Sequence, residues 1–498
     1  MEPTRRYRIR ARRQLNVGAV LAILFSAVVY FVALGYLEQV PLDGLVPIDV
    51  GDRLMMVNSL SRTAVTLIST VFASLFLAIP ITANMYTPQL IDIFVKAPTN
   101  RIVLGFFVFS AGHAVWTARI AGETPAPVIH LTISFCLVLL SLVVVVPYFF
   151  SVFRFLNPEA IINRVSRDLV RHMNGPVRKK VVKRQDALGR GIRNLGNIIL
   201  RALDRSDRDV AIAGVAALDR CAEIYLELKP GHEASWFAID SAHFPGLSRE
   251  AIDLVNRDRI WVEMKLLQQS NLAFKAALAK VPDVISAIGR SHRHFALAAA
   301  YRADAGSLDL SLRYFNNFMR EAIKAQDIHA VYDLLYQYRL MAECLWESDP
   351  KRVLQIGARL KYYAGLAVTH QLSFAYDLVA YDLGQVVTAV NPEKPEFEQL
   401  VRLYLSINKT DDSQMPLSQG QFKARLITAA VLYEQGRNKE AAMIEETLRD
   451  KGEGLKSTSS QLLDNTDVYF WEVTDRQCNL DYVPPATQVH VRAILDRL

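Results

Sequence analysis

Four apolar runs, Leu15–Leu37, Thr63–Thr82, Ile102–Ala118 and Val128–Phe153, all fall in the first third of this 498-residue chain. Each is about long enough to carry an α-helix across a hydrocarbon core of ~30 Å at ~1.5 Å per residue, so each reads as a membrane span. Beyond Phe153, Lys, Arg, Asp and Glu recur every few residues, as in a water-soluble domain large enough for its own core. The overall figures of 51% hydrophobic and 21% charged residues therefore average two different solvents.

The first run follows the cluster Arg5-Arg6-Tyr7-Arg8-Ile9-Arg10-Ala11-Arg12-Arg13. A cleaved signal peptide competes with a first span here, and Ala33-Leu34-Gly35 supplies small residues for cleavage. The run exceeds the ~7–15 apolar residues of a signal peptide and more spans follow, which favours an uncleaved helix. Lys and Arg concentrate on the cytoplasmic side of a membrane protein. The leading arginines, Lys96 and Arg101 between spans two and three, and Arg154, Arg164, Arg167 and Arg171 after span four fit that side. The acidic segment with Glu38, Asp43, Asp49 and Asp52 and the nearly neutral link Arg119–Pro127 fit the other. The expected topology is four crossings in a bacterial inner membrane, with both termini cytoplasmic.

Catalytic and metal signatures are lacking. Cys136, Cys221, Cys344 and Cys478 are scattered and form no CxxC pair, which points to free thiols rather than a zinc site or disulfide framework. Gly189-x-Gly191-x-x-x-x-Gly196 has the wrong spacing for a dinucleotide fingerprint, and no GxxxxGK[ST], HExxH or GxSxG occurs. His292 and His294 are two apart, so on a helix they diverge by about 200°. The expectation is a protein without cofactor, metal or enzymatic activity. The net charge of +7 is local: the run Arg178-Lys179-Lys180-Val181-Val182-Lys183-Arg184 satisfies the positive-inside bias and could also touch anionic lipid. It lacks the interleaved aromatics of a nucleic-acid surface, so no nucleic acid is expected.

Within the spans, Thr66, Thr70 and Ser74 repeat every four residues, while Ser110, His113 and Thr117 form a second stripe beside Gly105 and Gly112. Such residues let transmembrane helices approach and hydrogen-bond, or they line a pore. His113 is an ionisable group inside a span and His130 lies at similar depth; a helix interface competes with a proton relay or a metal pair, for which two histidines without a carboxylate make a thin site.

The connector between spans two and three is the most individual local feature. Pro80 is expected to kink or end the span, and Thr87-Pro88 reads as a helix start with Thr as cap and Pro at the first position. Leu90, Ile91 and Phe94 then form a short apolar face suited to the inner membrane surface. The stretch Ala83-Asn84-Met85-Tyr86-Thr87-Pro88-Gln89-Leu90-Ile91, followed by Phe94 and Leu104-Gly105-Phe106-Phe107, resembles a bacterial family of predicted membrane proteins of unknown function. Its core reads S-x-[FY]-[ST]-P-R-L-L, then F and V-L-G-x-F, and the likeness spans roughly residues 60–220. This chain departs from it at Gln89, where the family has Arg, and at Ala97, where an acidic residue is common. Asp204-Arg205-Ser206-Asp207-Arg208-Asp209 also replaces the family's S-P-x-x-N-D-P loop. The resemblance implies an integral membrane protein and carries no activity with it.

The remainder has helical periodicity. Leu169–Met173, Ile192–Leu203, Val210–Leu228, Ile252–Val281, Pro282–Ala303, Leu308–Ala325, Ala330–Trp346, Val353–Val368 and Leu372–Val390 read as amphipathic helices, with short breaks that imply antiparallel neighbours. Ala429, Gly436 and Ala441 match the small-residue offsets of a tetratricopeptide hairpin within Ala424–Leu448. Tyr332 and Tyr336 share a face, and with Tyr338, Tyr362, Tyr363, Tyr376 and Tyr381 they suit a core or a groove. Asn391–Gln419 reads as a long loop, and Asn465–Pro485, with Tyr469-Phe470-Trp471, as an extended element before a closing helix at Ala486–Leu498.

The chain is thus expected to be all-α, with a transmembrane domain at 1–156 and a basic juxtamembrane region at 157–230. A cytoplasmic domain at 231–498 completes it, either a tetratricopeptide-like solenoid or an irregular bundle. Its expected role is a membrane-anchored scaffold with a protein partner, and homo-oligomerisation is open. The alternative is an oligomeric channel or transporter lined by Thr66, Thr70, Ser74, Ser110 and His113. Tyr86, Thr87, Pro88, Gln89 and Phe94 are candidate inner-surface residues, and Arg178, Lys179, Lys180, Lys183 and Arg184 candidate lipid contacts.

Overall fold

A computed structural model describes residues 50–85, 91, 94–95, 97–121, 128–174, 181–278, 280–408, 417–449, 460–465, 467–468, 476 and 478–498. The first apolar run, Tyr86–Gln89, Arg178–Lys180 and Tyr469–Trp471 lie outside these residues. The described residues form helices, turns and loops without strands. The chain divides into two compact units, Met1–Ile161 and Ile162–Leu498.

Three helices of the first unit are long and apolar enough to cross a membrane, over Asp52–Asn84, Pro98–Arg119 and His130–Leu156. They belong to α1 (Val50–Met85), α2 (Pro98–Ala121) and α3 (Val128–Leu156), each of which packs on the other two. Helix α1 is 36 residues long and begins well before the apolar run at Thr63, because backbone hydrogen bonding continues through the polar turns of Asn58 and Arg62. Of the two outcomes expected at Pro80, the helix does not end there; α1 runs on to Met85. A proline inside an apolar helix is tolerated when its missing donor is offset locally. Pro147 is likewise internal to α3. Val71, Leu75, Ile79, Val103, Phe107, Tyr148 and Val152 form the shared core. Phe76, Leu77, Val108, Phe109, Val143, Phe150 and Phe153 are exposed, as suits a lipid-facing surface.

The second unit holds fifteen helices among its described residues. They are α4 (Pro158–Met173), α5 (Val181–Asp204), α6 (Arg208–Leu228), α7 (Ala234–Phe237), α8 (Arg249–Arg257), α9 (Trp261–Ala277) and α10 (Pro282–Tyr301). There follow α11 (Ala305–Lys324), α12 (Ile328–Leu345), α13 (Pro350–Thr369), α14 (Phe374–Ala389), α15 (Phe397–Leu405), α16 (Gln419–Glu434), α17 (Asn438–Glu446) and α18 (Pro485–Arg497). The stretch 157–230 therefore supplies α5 and α6 to this unit. Helices α6, α10, α12, α14, α16 and α18 pack successively against one another, and α5, α9, α11, α13, α15 and α17 form a second rank in the same manner.

The turns explain this regularity. Ser206, Ala303, Gln326, Gln371 and Gly436 each close a helix with positive φ. The next residue's N–H returns to the carbonyl five residues back, as in Asp207 to Ala202 (2.8 Å), Asp304 to Ala299 (2.9 Å) and Arg437 to Leu432 (2.8 Å). This is the Schellman closure. Asp207, Asp304 and Asp327 then cap the next helix with their carboxylates. Gly436, at φ 75°, supplies the turn expected of it, and Ala429 and Ala441 are fully buried on either side. The segment Ile252–Val281 is not one helix. Arg259 takes φ 56° and splits it into α8 and α9, a break that no Gly or Pro announces. The long loop expected at 391–419 contains α15, whose Phe397, Leu400, Val401 and Tyr404 are buried. Gly191 and Gly196 serve helix contact: a Cβ at Gly191 would lie 2.5 Å from Leu169, and one at Gly196 would collide with Gln269.

Candidate functional site

Two polar constellations stand out, one in each unit. In the first unit, His113 and Thr117 of α2 meet Ser134 of α3. His113 Nδ1 lies 3.1 Å from Ser134 Oγ, which donates to Thr117 Oγ1 at 3.1 Å, and Thr117 donates to the His113 carbonyl at 2.8 Å. The His130 ring is 6.3 Å from that of His113 and packs edge-on against Trp116 at 5.4 Å. The buried Ser110 hydroxyl has no hydrogen-bond partner among the described residues. Ser134, fully buried, escaped the sequence reading because a lone serine in an apolar run carries no periodic signal.

The other hydroxyl stripe lies apart from this network. Thr66 and Thr70 are exposed on the described helices. Thr70 and Ser74 donate back to Thr66 O and Thr70 O, both at 2.9 Å. Gly105 and Gly112 are also exposed, and a Cβ at either would meet nothing. Phe94, the described member of the inner-surface motif, is buried edge-on against Phe155 at 5.4 Å. Asn100 Nδ2 donates to its carbonyl at 2.9 Å. Among the basic residues, Lys183 is exposed. Arg184 turns inward, donating to His172 O (2.8 Å) and lying 4.9 Å over the Trp236 ring, so it caps the end of α4. No cluster of three or more His, Cys, Asp or Glu side chains suits a metal among the described residues.

The second constellation lies on the α6–α18 rank. Asp382, on α14, and Arg476 are both fully buried and pair in bidentate fashion, at 2.6 and 2.8 Å. The Arg476 guanidinium lies 4.4 Å from the Tyr332 ring centroid and 5.4 Å from that of Tyr336, and also donates to Tyr332 O at 3.1 Å. Five residues on, Asp481 accepts from the Tyr381 hydroxyl at 2.5 Å and from Lys423 of α16 at 2.8 Å. Burial and the neighbouring Asp481 carboxylate push the Tyr381 phenol well above its ordinary pKa, so it stays a donor. Arg339 stacks 4.9 Å over Tyr336 and approaches Glu343 at 3.7 Å, and burial raises the Glu343 pKa against that pull. Tyr332, Tyr336 and Tyr381, with Asp382 and Lys423, thus form a polar face that receives Arg476 and Asp481 of the same chain. Spacing of tyrosines on α12 suited a core as well as a groove; the partner of Asp382, 94 residues away in sequence, carried no local signal.

Residues 13–191 match the model of a family described as predicted membrane protein (DUF2254), to which no function is assigned. The match begins earlier, and ends earlier, than the residues 60–220 over which the sequence motif was read. No curated protein and no solved structure matches the chain.

Proposed function

We propose that this DUF2254-bearing chain is a non-catalytic, membrane-anchored scaffold. Its apolar helices fix it in a bacterial inner membrane, N-terminus inside, and its second unit faces the cytoplasm as a tetratricopeptide-like solenoid that engages a protein partner. The observation that carries this reading is the two-rank helix array with a polar face formed by Asp382, Tyr332, Tyr336, Tyr381 and Lys423. Stacked helix pairs give extended surfaces for binding peptides and proteins. Positive charge flanking the apolar runs supports the orientation.

The channel reading has weaker support. Thr70 and Ser74 bond to their own helix, and the His113 group bonds to Ser134 and Thr117, which suits helix packing. Crosslinking in intact cells followed by capture of the full-length protein should recover one partner at a fixed ratio. Reconstituted liposomes should pass no ions. Ion flux that changes in His113→Ala or Thr70→Val would overturn the scaffold assignment.

A further inference from the structure

The pairing of Arg476 with Asp382 is an uneconomical way to hold a helix array together. Two charges withdrawn from water lose solvation that their attraction only just offsets, and well-packed apolar residues at the same positions are often as stable or more so. Yet both side chains are fully buried, the guanidinium lies over two tyrosine rings, and a second charge pair, Lys423 with Asp481, follows five residues later. All the receiving groups stand on α12, α14 and α16, whereas Arg476 and Asp481 both lie in turns. Leu462 and Val483 are also buried. A carboxylate beside aromatic rings is chemistry that selects arginine, because only a planar guanidinium can pair in bidentate fashion and stack together. A lysine beside a phenol donor selects a carboxylate.

We infer that the face formed by α12, α14 and α16 is a recognition site for a turn-forming protein segment bearing an arginine and, five residues toward its C-terminus, a carboxylate, and that Arg476 and Asp481 occupy it in cis. The inference rests on the scaffold reading and names the partner's chemistry. Asp382 with Tyr332 and Tyr336 receives the arginine; Lys423 with the Tyr381 hydroxyl receives the acid. Charged and hydroxylated receivers remain compatible with water when the segment leaves, which an apolar seat would not. Binding in trans therefore competes with the chain's own segment, and affinity for a partner is set by how firmly Arg476 and Asp481 are held.

A fluorescent peptide with the sequence of Thr474–Val483, Ser replacing Cys478, tests this on the full-length protein in detergent by anisotropy. The wild-type protein should bind it weakly. The Arg476→Ala/Asp481→Ala protein should bind at least about tenfold more tightly, and Asp382→Asn added to that background should abolish the gain. A peptide with Ala in place of its arginine should not bind. The inference fails if the double variant, folded by circular dichroism, binds no better than wild type, or binds the arginine-free peptide equally. Should the double variant unfold, Arg476→Lys/Asp481→Asn takes its place under the same criteria. Failure here with a partner still recovered by crosslinking would move the partner to another surface and leave the scaffold reading intact.

Discussion

His292 makes the second unit acid-sensitive. The residue sits on α10, 1% exposed, with its ring edge-on to Phe318 at 4.5 Å and Phe315 at 5.8 Å. Burial lowers its pKa from 6.5 to about 3, because an imidazolium in this apolar setting would lose its hydration. Below pH 6.5 the unfolded chain therefore takes up a proton that the folded chain refuses. Stability is fully present above pH 6.5 and is lost as the pH falls toward about 3. The slope is ~1.36 kcal/mol per pH unit, so moving from pH 7 to pH 5 should cost about 2 kcal/mol through this residue alone. Other groups titrate in the same window, and comparison with His292→Leu cancels them. Urea unfolding followed by tryptophan emission suits the measurement, since Trp236, Trp261 and Trp346 are buried in this unit. The wild-type protein should lose about 2 kcal/mol more than the variant on acidification. Equal losses in the two proteins would refute the assignment of a neutral buried imidazole.

Three further outcomes follow from named contacts. Asp382→Ala leaves the Arg476 charge buried without its carboxylate, a defect worth about 3–5 kcal/mol. The segment should detach, and Cys478, as the sole remaining thiol, should react faster with a maleimide. Gly214→Ala would drive a Cβ into the buried Ile199 side chain between α5 and α6, costing about 1–3 kcal/mol in urea unfolding, while Gly231→Ala, with open space around it, should be nearly neutral. Ser134→Ala removes the link between His113 and Thr117, and should lower stability in detergent by about 0.6 kcal/mol, the usual size of a hydrogen bond between membrane helices. A loss several times larger would mean that the network does more than hold α2 to α3.

Periodicity made the helices legible from Val210 to Val390, since each buries a stripe repeating every three or four residues. The same reasoning placed breaks after Ala303 and Ala325, where the turns at Ala303 and Gln326 stand, but ran two helices together at Arg259. An ordinary side chain adopts the left-handed conformation there because the Schellman hydrogen bonds hold it, and the residue type gives no notice. Among candidate site residues, Tyr332, Tyr336 and His113 were found because rings and an ionisable group are conspicuous at helical spacing. Ser134, Asp382 and Arg476 were not, because a buried polar residue is indistinguishable from an exposed one until its partner is known.

By itself the sequence determined the solvent of each part of the chain and its helical character, since apolar run length and residue period are local properties of the string. Only the tertiary structure decided which polar groups meet. Asp382 finds Arg476 across 94 residues, and Tyr381 finds Asp481 across 100, because successive helix pairs stack into ranks and bring a distant segment back over them. Such pairings depend on the sum of every turn between the partners, and no window of sequence contains that sum.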